Sequence, residues 1–269
     1  MSDFETEVSS GQRFEFGKNW RSFLSHLTDE RIKIAEYSLR EKLKLDSLEG
    51  LRFLDAGNGS GLFSLAARRL GARVRSFDFD PNSVECAREL KRRYFPDDPD
   101  WEISRGSVLN ESFLASLGEF DVTYCWGVLH HTGDMWKGME LVSKTVKPGG
   151  KYYIMIYRDR GWSSRLWWHV KRFYCSGRIQ RLIALSGFVT YAATKQFLTD
   201  ILARRNPIAH YRDYKEQRGM SRYHDWVDWI GGFPYEYATP EEVIGYCKEL
   251  GFELSVHDVN QYVFVKLDS

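Results

Sequence analysis

Cysteine is scarce in this 269-residue chain, and long apolar runs are missing. The four cysteines are scattered without a C-x-x-C pair, so the sequence predicts neither a zinc site nor a disulfide framework. No uninterrupted apolar run is long enough to cross a bilayer, and the polar N-terminus lacks the basic and apolar regions of a signal peptide. We therefore expect a cytoplasmic protein with no transmembrane segment and no bound metal.

An excess of one sign of charge is also lacking, because 38 Lys and Arg residues stand against 37 Asp and Glu residues. This balance does not favour a nucleic-acid partner. The charge is uneven along the chain, since residues 158–237 hold 14 basic and 7 acidic residues and five of the nine tryptophans. This basic, aromatic stretch predicts contact with an anionic or partly apolar small molecule, although a solvated helix face has a similar composition.

Apolar runs alternate with helical patterns, which is typical of a doubly wound α/β sheet. The predicted strands lie near residues 51–55, 73–78, 101–104, 120–125, 151–157, 252–257 and 261–267. The predicted helices of the core lie near residues 61–70, 81–94 and 134–146, and from Thr239 to Gly251. Residues 12–47 predict one or two further amphipathic helices ahead of the first strand.

A glycine-rich turn follows the first predicted strand, in the segment Phe53-Leu54-Asp55-Ala56-Gly57-Asn58-Gly59-Ser60-Gly61. The third glycine of the dinucleotide fingerprint is replaced by Leu62. Asp55, directly before the turn, would repel a diphosphate and suit a ligand with positive charge. Asp78 ends the second strand, where a carboxylate can accept the hydroxyls of a ribose. These features predict a site for a nucleoside cofactor.

This segment closely resembles the first motif of the class I S-adenosylmethionine-dependent methyltransferases. Three later segments resemble further motifs of that family in their order and spacing: Trp101 to Val108, Phe120 to His131, and Val146 to Ile154. A fourth segment, Arg218 to Glu236, resembles one in bacterial members that are named broadly by analogy with ubiquinone methylases.

The resemblance implies a seven-stranded, mostly parallel sheet with its last strand antiparallel. It also implies an N-terminal helical cap at 1–50, a Rossmann-like core at 51–157 and 238–269, and a substrate-recognition insertion at 158–237. The implied cofactor is S-adenosylmethionine, with S-adenosylhomocysteine as product. The implied cofactor-binding residues are Asp55, Ala56, Gly57, Asn58, Gly59, Gly61, Asp78, Phe79, Ser107, Val108, Trp126 and Trp20. Ser107 stands where the family usually has an aspartate, so the charge-assisted part of the adenine contact would be lost.

Methyl transfer to a hydroxyl benefits from a general base, and histidine titrates nearest to neutral pH. The candidate bases are His224, His131 and His130, in that order, with Asp225 orienting His224 or binding substrate. A histidine of the pair after the fourth strand would serve equally well to hold its loop through the backbone. We therefore interpret the chain as an enzyme that transfers a methyl group to a small molecule, with oxygen as the favoured acceptor atom.

Other functions stay open at this stage. An RNA methyltransferase would use the same core with a basic patch, but an Asn/Asp-Pro-Pro-Phe/Tyr motif is missing. A lipid-quinone methyltransferase at a membrane surface would suit the mixed aromatic and basic residues from Trp162 to Tyr174. A non-enzymatic module could keep the same cofactor pocket. The tryptophan-rich insertion could also pair two subunits in a homodimer.

Overall fold

The computed structural model of the chain describes residues 3–17, 20, 24, 27–206 and 222–268. The chain divides into two compact units. The larger unit comprises Thr28–Arg160 and Tyr235–Ser269, and the smaller unit comprises Met1–Leu27 and Gly161–Pro234.

The larger unit contains one seven-stranded sheet with the order β3-β2-β1-β4-β5-β7-β6. Its strands are β1 (Arg52–Ala56), β2 (Arg73–Asp78), β3 (Trp101–Arg105), β4 (Phe120–Trp126), β5 (Val146–Met155), β6 (Phe252–Asp258) and β7 (Gln261–Lys266). Strands β1 to β5 pair in parallel, whereas β7 is antiparallel to both β5 and β6. The strand order reverses between β1 and β4, and a crevice at such a reversal is where α/β sheets bind ligands.

The described residues include ten helices of seven or more residues. In chain order they are α1 (Asp3–Ser9), α2 (Asp29–Leu43), α3 (Leu62–Arg69), α4 (Pro81–Tyr94), α5 (Glu111–Leu117), α6 (Met135–Ser143), α7 (Trp162–Cys175), α8 (Arg178–Leu202), α9 (Arg222–Gly231) and α10 (Pro240–Glu249). Local sequence sets several of their starts. Thr239 and Glu242 form a capping box at α10, and Asp80 accepts a hydrogen bond from the Asn82 N–H at α4.

The sheet of the larger unit is enclosed by apolar side chains on both faces. Leu54, Tyr152, Ile154 and Phe264 are buried in one cluster that continues into the helices α6 and α10. All four cysteines of the chain are buried as thiols, and burial raises the pKa of the Cys125 thiol well above its usual value. Burial therefore keeps the Cys125 thiol in its unreactive, protonated form.

The smaller unit packs α7, α8 and α9 around a compact core of Tyr174, Cys175 and Ile230. Lys171 is buried there, where its ammonium donates to the Trp229 carbonyl and lies over the Trp229 ring. Burial lowers the pKa of Lys171 to about 7. The unit thus combines an apolar helical core with one buried lysine.

The predicted strands agree with the observed ones except at β5, which begins at Val146 rather than near residue 151. The turn-like residues Pro148, Gly149 and Gly150 lie inside this strand, beside an irregularity in its pairing with β4. The helix α1 was not predicted, because seven polar-rich residues carry little apolar periodicity. The expected fold, a seven-stranded sheet with one strand reversed, is confirmed.

Candidate functional site

The glycine-rich turn links β1 to α3 at the carboxyl end of the sheet. Its backbone is tied to the neighbouring strand, because the N–H groups of Gly57 and Asn58 both donate to the Phe77 carbonyl at 2.8 and 3.0 Å. Gly57, Gly59 and Gly61 have φ values of +87°, +52° and +82°, a region that favours glycine. The turn therefore presents a compact backbone at the start of α3, where ligands can approach closely.

Two of these glycines are also required by packing. A Cβ on Gly57 would lie 2.4 Å from Cγ2 of Val128, and a Cβ on Gly61 would lie 2.8 Å from the Ala87 backbone. Contacts this short do not occur between real atoms, so any side chain at either position must displace its neighbour. The turn is thus fixed by the strand–helix packing around it.

Asp78 joins the turn to the end of β2. One carboxylate oxygen accepts the Gly59 N–H at 2.9 Å, and the other accepts the Asp80 N–H at 2.8 Å. Both oxygens of the Asp78 carboxylate therefore hold backbone groups at the carboxyl ends of β1 and β2.

Asp55 is buried beneath the turn and is only 1% exposed. Its carboxyl accepts a hydrogen bond of 2.5 Å from the hydroxyl of Ser64, one turn into α3. The pKa of Asp55 is raised from 3.8 to about 7, because desolvation and the nearby Asp78 charge together outweigh the hydrogen bonds from Ser64. Asp55 is consequently half protonated near neutral pH.

The raised pKa of Asp55 predicts a specific dependence of stability on pH. The folded chain holds this proton more tightly than the unfolded chain, so the associated stability is fully present below about pH 4 and is lost as pH rises through 7. The loss amounts to at most about 1.4 kcal/mol per pH unit. Asp55→Asn removes it, so we expect wild type to lose stability relative to the variant between pH 5 and 8. Urea unfolding across that range measures the difference, and parallel profiles would refute the prediction.

Three further predicted cofactor residues lie after β2 and β3 in the larger unit. Phe79 follows Asp78 and is half-buried, and Val108 is buried in the core cluster. The Ser107 hydroxyl accepts the Leu109 N–H at 3.1 Å, so it remains able to donate its own proton. Together these residues can offer apolar contacts and one hydroxyl to an adenine ring.

Trp126 and Asn58 complete the predicted set in this unit. The Trp126 indole, at the end of β4, donates to the Gln261 side-chain carbonyl at 3.2 Å. The Asn58 amide donates to the Gly59 and Ser83 carbonyls, and its own buried oxygen meets no donor among the described residues. Such an unsatisfied acceptor beside the turn is consistent with a ligand donor at this point.

His130 and His131 form a short 3₁₀ turn after β4, next to Tyr157. The His130 ring is fully buried, with its centroid 3.9 Å from that of Tyr157, whereas His131 meets Tyr157 edge to face at 5.4 Å. The Tyr235 ring is tilted against Tyr157, with the two ring centroids 5.4 Å apart. The end of β4 and the end of β5 are thus joined by an aromatic cluster.

Glu236 anchors the loop that carries these histidines. Its carboxylate accepts the Gly133 N–H at 2.8 Å and the Met135 N–H at 3.0 Å, at the start of α6. Its own N–H donates to the His130 carbonyl at 2.9 Å. Burial raises the pKa of Glu236, and the backbone donors oppose this. Glu236 therefore fixes the backbone on both sides of the histidine pair.

The predicted site residues are divided between the two units. Trp20 belongs to the smaller unit, where it is half-buried, whereas the glycine turn belongs to the larger unit. His224 and Asp225 lie in α9, also in the smaller unit, and their side chains are outside the described residues.

Sequence reasoning missed Ser64, Val128 and Glu236. Ser64 could have been found from its position nine residues after Asp55, where a helix that follows the turn points back toward β1. Val128 and Glu236 act through contacts between segments distant in sequence, and no local pattern marks them.

Part of the larger unit matches a known family of domains. Residues 54–154 match the family described as methyltransferase domain, and they include the end of β1, the glycine turn, Asp78 and the His130–His131 loop. The strand order β3-β2-β1-β4-β5-β7-β6 agrees with that assignment. Residues 54–154 thus match a methyltransferase domain, and the sheet has the fold of class I methyltransferases.

The methyltransferase domain is similar to ubiquinone biosynthesis O-methyltransferases. The protein from Methylocella silvestris is 32% identical over 111 residues, which cover 41% of this chain and 41% of that protein. The protein from Brucella ovis is 36% identical over 108 residues, which cover 40% of this chain and 41% of that protein. The chain thus matches about two fifths of the length of these curated relatives.

Solved structures share the fold at low sequence identity. Magnesium protoporphyrin IX methyltransferase from Synechocystis, with bound S-adenosylmethionine, is 10% identical with a TM-score of 0.52, covering 88% of this chain and 79% of that chain. A Rickettsia typhi methyltransferase structure in complex with S-adenosylhomocysteine is 17% identical with a TM-score of 0.52, covering 82% of this chain and 43% of that chain. Within the part of the chain described here, no group of three or more His, Cys, Asp or Glu side chains is placed to hold a metal ion.

Proposed function

We propose that this chain binds S-adenosylmethionine and transfers its methyl group to an oxygen of a small-molecule acceptor. The observation that carries the proposal is the arrangement of Asp78, whose carboxylate is tied to the glycine turn at the reversal point of the sheet. The similarity of residues 54–154 to methyltransferase domains, and of the core to O-methyltransferases, supports the same reaction and the oxygen acceptor.

The residues of the turn suit the parts of this cofactor. Asp78 would accept the ribose hydroxyls, and the turn from Ala56 to Gly61 would lie along the methionine part. Asp55 would add negative charge beneath the ammonium and sulfonium groups, because a nearby cation favours its ionised form. Phe79, Ser107 and Val108 would enclose the adenine, and the Trp126 face would border the same crevice.

Methyl transfer from this cofactor requires few catalytic groups from the protein. When bound, the cofactor supplies a methyl group on a sulfonium, whose positive charge is lost on transfer. The chain would contribute alignment and exclusion of water, to which the aromatic cluster of buried His130 with half-buried Tyr157 and Tyr235 is suited. An acceptor hydroxyl would also need to lose its proton to a base.

Among the described histidines we assign the general base to His131 and a positioning role to His130. His130 is fully buried, whereas His131 keeps 8% of its surface exposed at the same loop. His224, with Asp225 as its partner, is the alternative base from the smaller unit. The order of preference between His224 and His131 stays a prediction.

The test of this assignment is a kinetic comparison of His131→Gln with His224→Gln. S-adenosylhomocysteine release would be followed with a panel of phenols, catechols and hydroxycarboxylic acids as acceptors. Loss of the base is expected to lower kcat by roughly 10²-fold or more, to leave cofactor KM unchanged, and to remove the acid limb of the pH profile. An unchanged kcat in His131→Gln, with a large loss in His224→Gln, would move the base to α9.

Acceptor charge is a further part of the proposal. The excess of basic residues in 158–237 supports an anionic small molecule, and exposed Arg158, directly after β5, belongs to that stretch. The same acceptor panel tests the preference for anionic acceptors separately from methyl transfer. Turnover of neutral phenols alone would refute the preference and still support methyl transfer.

A further inference from the structure

Two helices of the smaller unit expose many apolar side chains. Leu202 of α8 is 84% exposed, and Trp162 of α7 is 76% exposed. We use the term apolar face for the exposed residues Ile179, Leu182, Ile183, Tyr191, Phe197, Leu198, Ile201 and Leu202 of α8 with Trp162, Leu166 and Phe173 of α7. Exposed apolar side chains in this number on two packed helices are typical of an interaction site in soluble proteins.

The spacing of the apolar residues places them on one side of α8. Ile179 and Ile183 are four residues apart, as are Phe197 and Ile201, and residues at this spacing lie on the same side of a helix. The opposite side of the helix carries Leu185 and Phe188, which pack into the core of the smaller unit. The apolar face is therefore additional to the side that the fold itself buries.

The charges around the apolar face have one sign. Asp200 is the sole acidic residue between positions 162 and 202, and it is 1% exposed. The exposed charged residues of α7 and α8 are all basic: Arg165, Arg172, Arg178, Arg181 and Lys195. A partner of this surface must accept apolar side chains and offer negative charge at the same time.

We propose that the apolar face of α7 and α8 rests on the surface of an anionic lipid bilayer. Apolar side chains enter the boundary between headgroups and acyl chains, while basic side chains meet lipid phosphates. No described helix is long and apolar enough to cross a membrane, so the contact is superficial. A second copy of the chain fits less well, because it would bring two basic surfaces together.

Vesicle flotation of the full chain tests the proposal without cofactor or acceptor. We expect the protein to float with phosphatidylcholine vesicles that contain about one third phosphatidylglycerol, and to float poorly with phosphatidylcholine alone or at high salt. The flotation assay measures no methyl transfer. A negative flotation result would therefore not affect the proposed reaction, and a negative activity result would not affect the proposed membrane contact.

Variants identify the surface. Replacing Ile183, Leu198 and Ile201 together by Ser is expected to weaken vesicle binding about tenfold or more. The matched control is Ile34→Ser, a change at a 62% exposed apolar residue of the larger unit, which should leave binding unchanged. The pair Arg178→Glu and Lys195→Glu should weaken binding by roughly fivefold or more for each charge.

Three outcomes would overturn the proposal: no flotation with anionic vesicles, equal flotation of the triple Ser variant and wild type, or equal flotation of the Glu pair and wild type. A dimer in light scattering that dissociates in the triple Ser variant, without vesicle binding, would assign the apolar face to a second copy. Circular dichroism checks that the helices persist. If the triple Ser variant loses helicity, the Glu pair decides, since it replaces only exposed charges.

Discussion

Asp78→Asn is expected to weaken binding of S-adenosylhomocysteine by roughly 100-fold, because a hydrogen bond to a charged group contributes about 1.5–3 kcal/mol and two ribose hydroxyls would lose that charge. The same change weakens the hydrogen bonds that the Gly59 and Asp80 N–H groups donate to the Asp78 carboxylate at 2.9 and 2.8 Å. Isothermal titration of the purified variant measures the loss.

The matched control is Asp80→Asn, two residues further along the chain. Asp80 caps α4 through the Asn82 N–H, and asparagine caps helices as well as aspartate does. We expect this variant to bind within a few-fold of wild type. Binding of Asp78→Asn at nearly the wild-type level would remove Asp78 from the cofactor site.

Gly57→Ala is expected to lower the free energy of unfolding by ~2–5 kcal/mol. The left-handed backbone accounts for about 1–2 kcal/mol, and overpacking against the core adds typically 1–3 kcal/mol. Both causes are present, since φ is +87° and the new Cβ would lie 2.4 Å from Cγ2 of Val128. Urea unfolding measures the change, and cofactor binding should be lost with it because the turn must move.

Gly149→Ala separates the two causes. Gly149 has a φ of +69°, and no atom lies within 4 Å of where its Cβ would be. Its substitution should therefore lower the free energy of unfolding only by the cost of the left-handed backbone. Adding Val128→Ala to Gly57→Ala should relieve the overpacking and recover the stability lost to it, apart from the cost of the deleted methyl groups. Equal costs for Gly57→Ala and Gly149→Ala would show that the contact with Val128 does not constrain the turn.

The parts of the fold that depend on local sequence could be predicted. Apolar runs bounded by turn residues located all seven strands, and Asp80 followed by Pro81 predicted the start of α4. The glycine turn was predictable for the same reason, because left-handed backbone favours glycine whatever packs around it. The exception, the early start of β5, contains proline and glycines that usually end strands.

The electrostatics and the supporting contacts of the site could not be predicted. Asp55 was expected to bear a full negative charge, but burial raises its pKa to about 7, and burial is a property of the packed sheet. Glu236 binds backbone groups near residues 133–135, about a hundred positions earlier in the chain. No periodicity or spacing rule connects segments so far apart, so both findings required the tertiary structure.

Native mass spectrometry of the purified wild-type chain with added S-adenosylhomocysteine tests whether the glycine turn and Asp78 form a site for S-adenosylmethionine. We expect a complex with a single adenosyl ligand per chain, absent in Asp78→Asn and retained in Asp80→Asn. No complex with the wild-type chain, or equal occupancy in all three proteins, would contradict it.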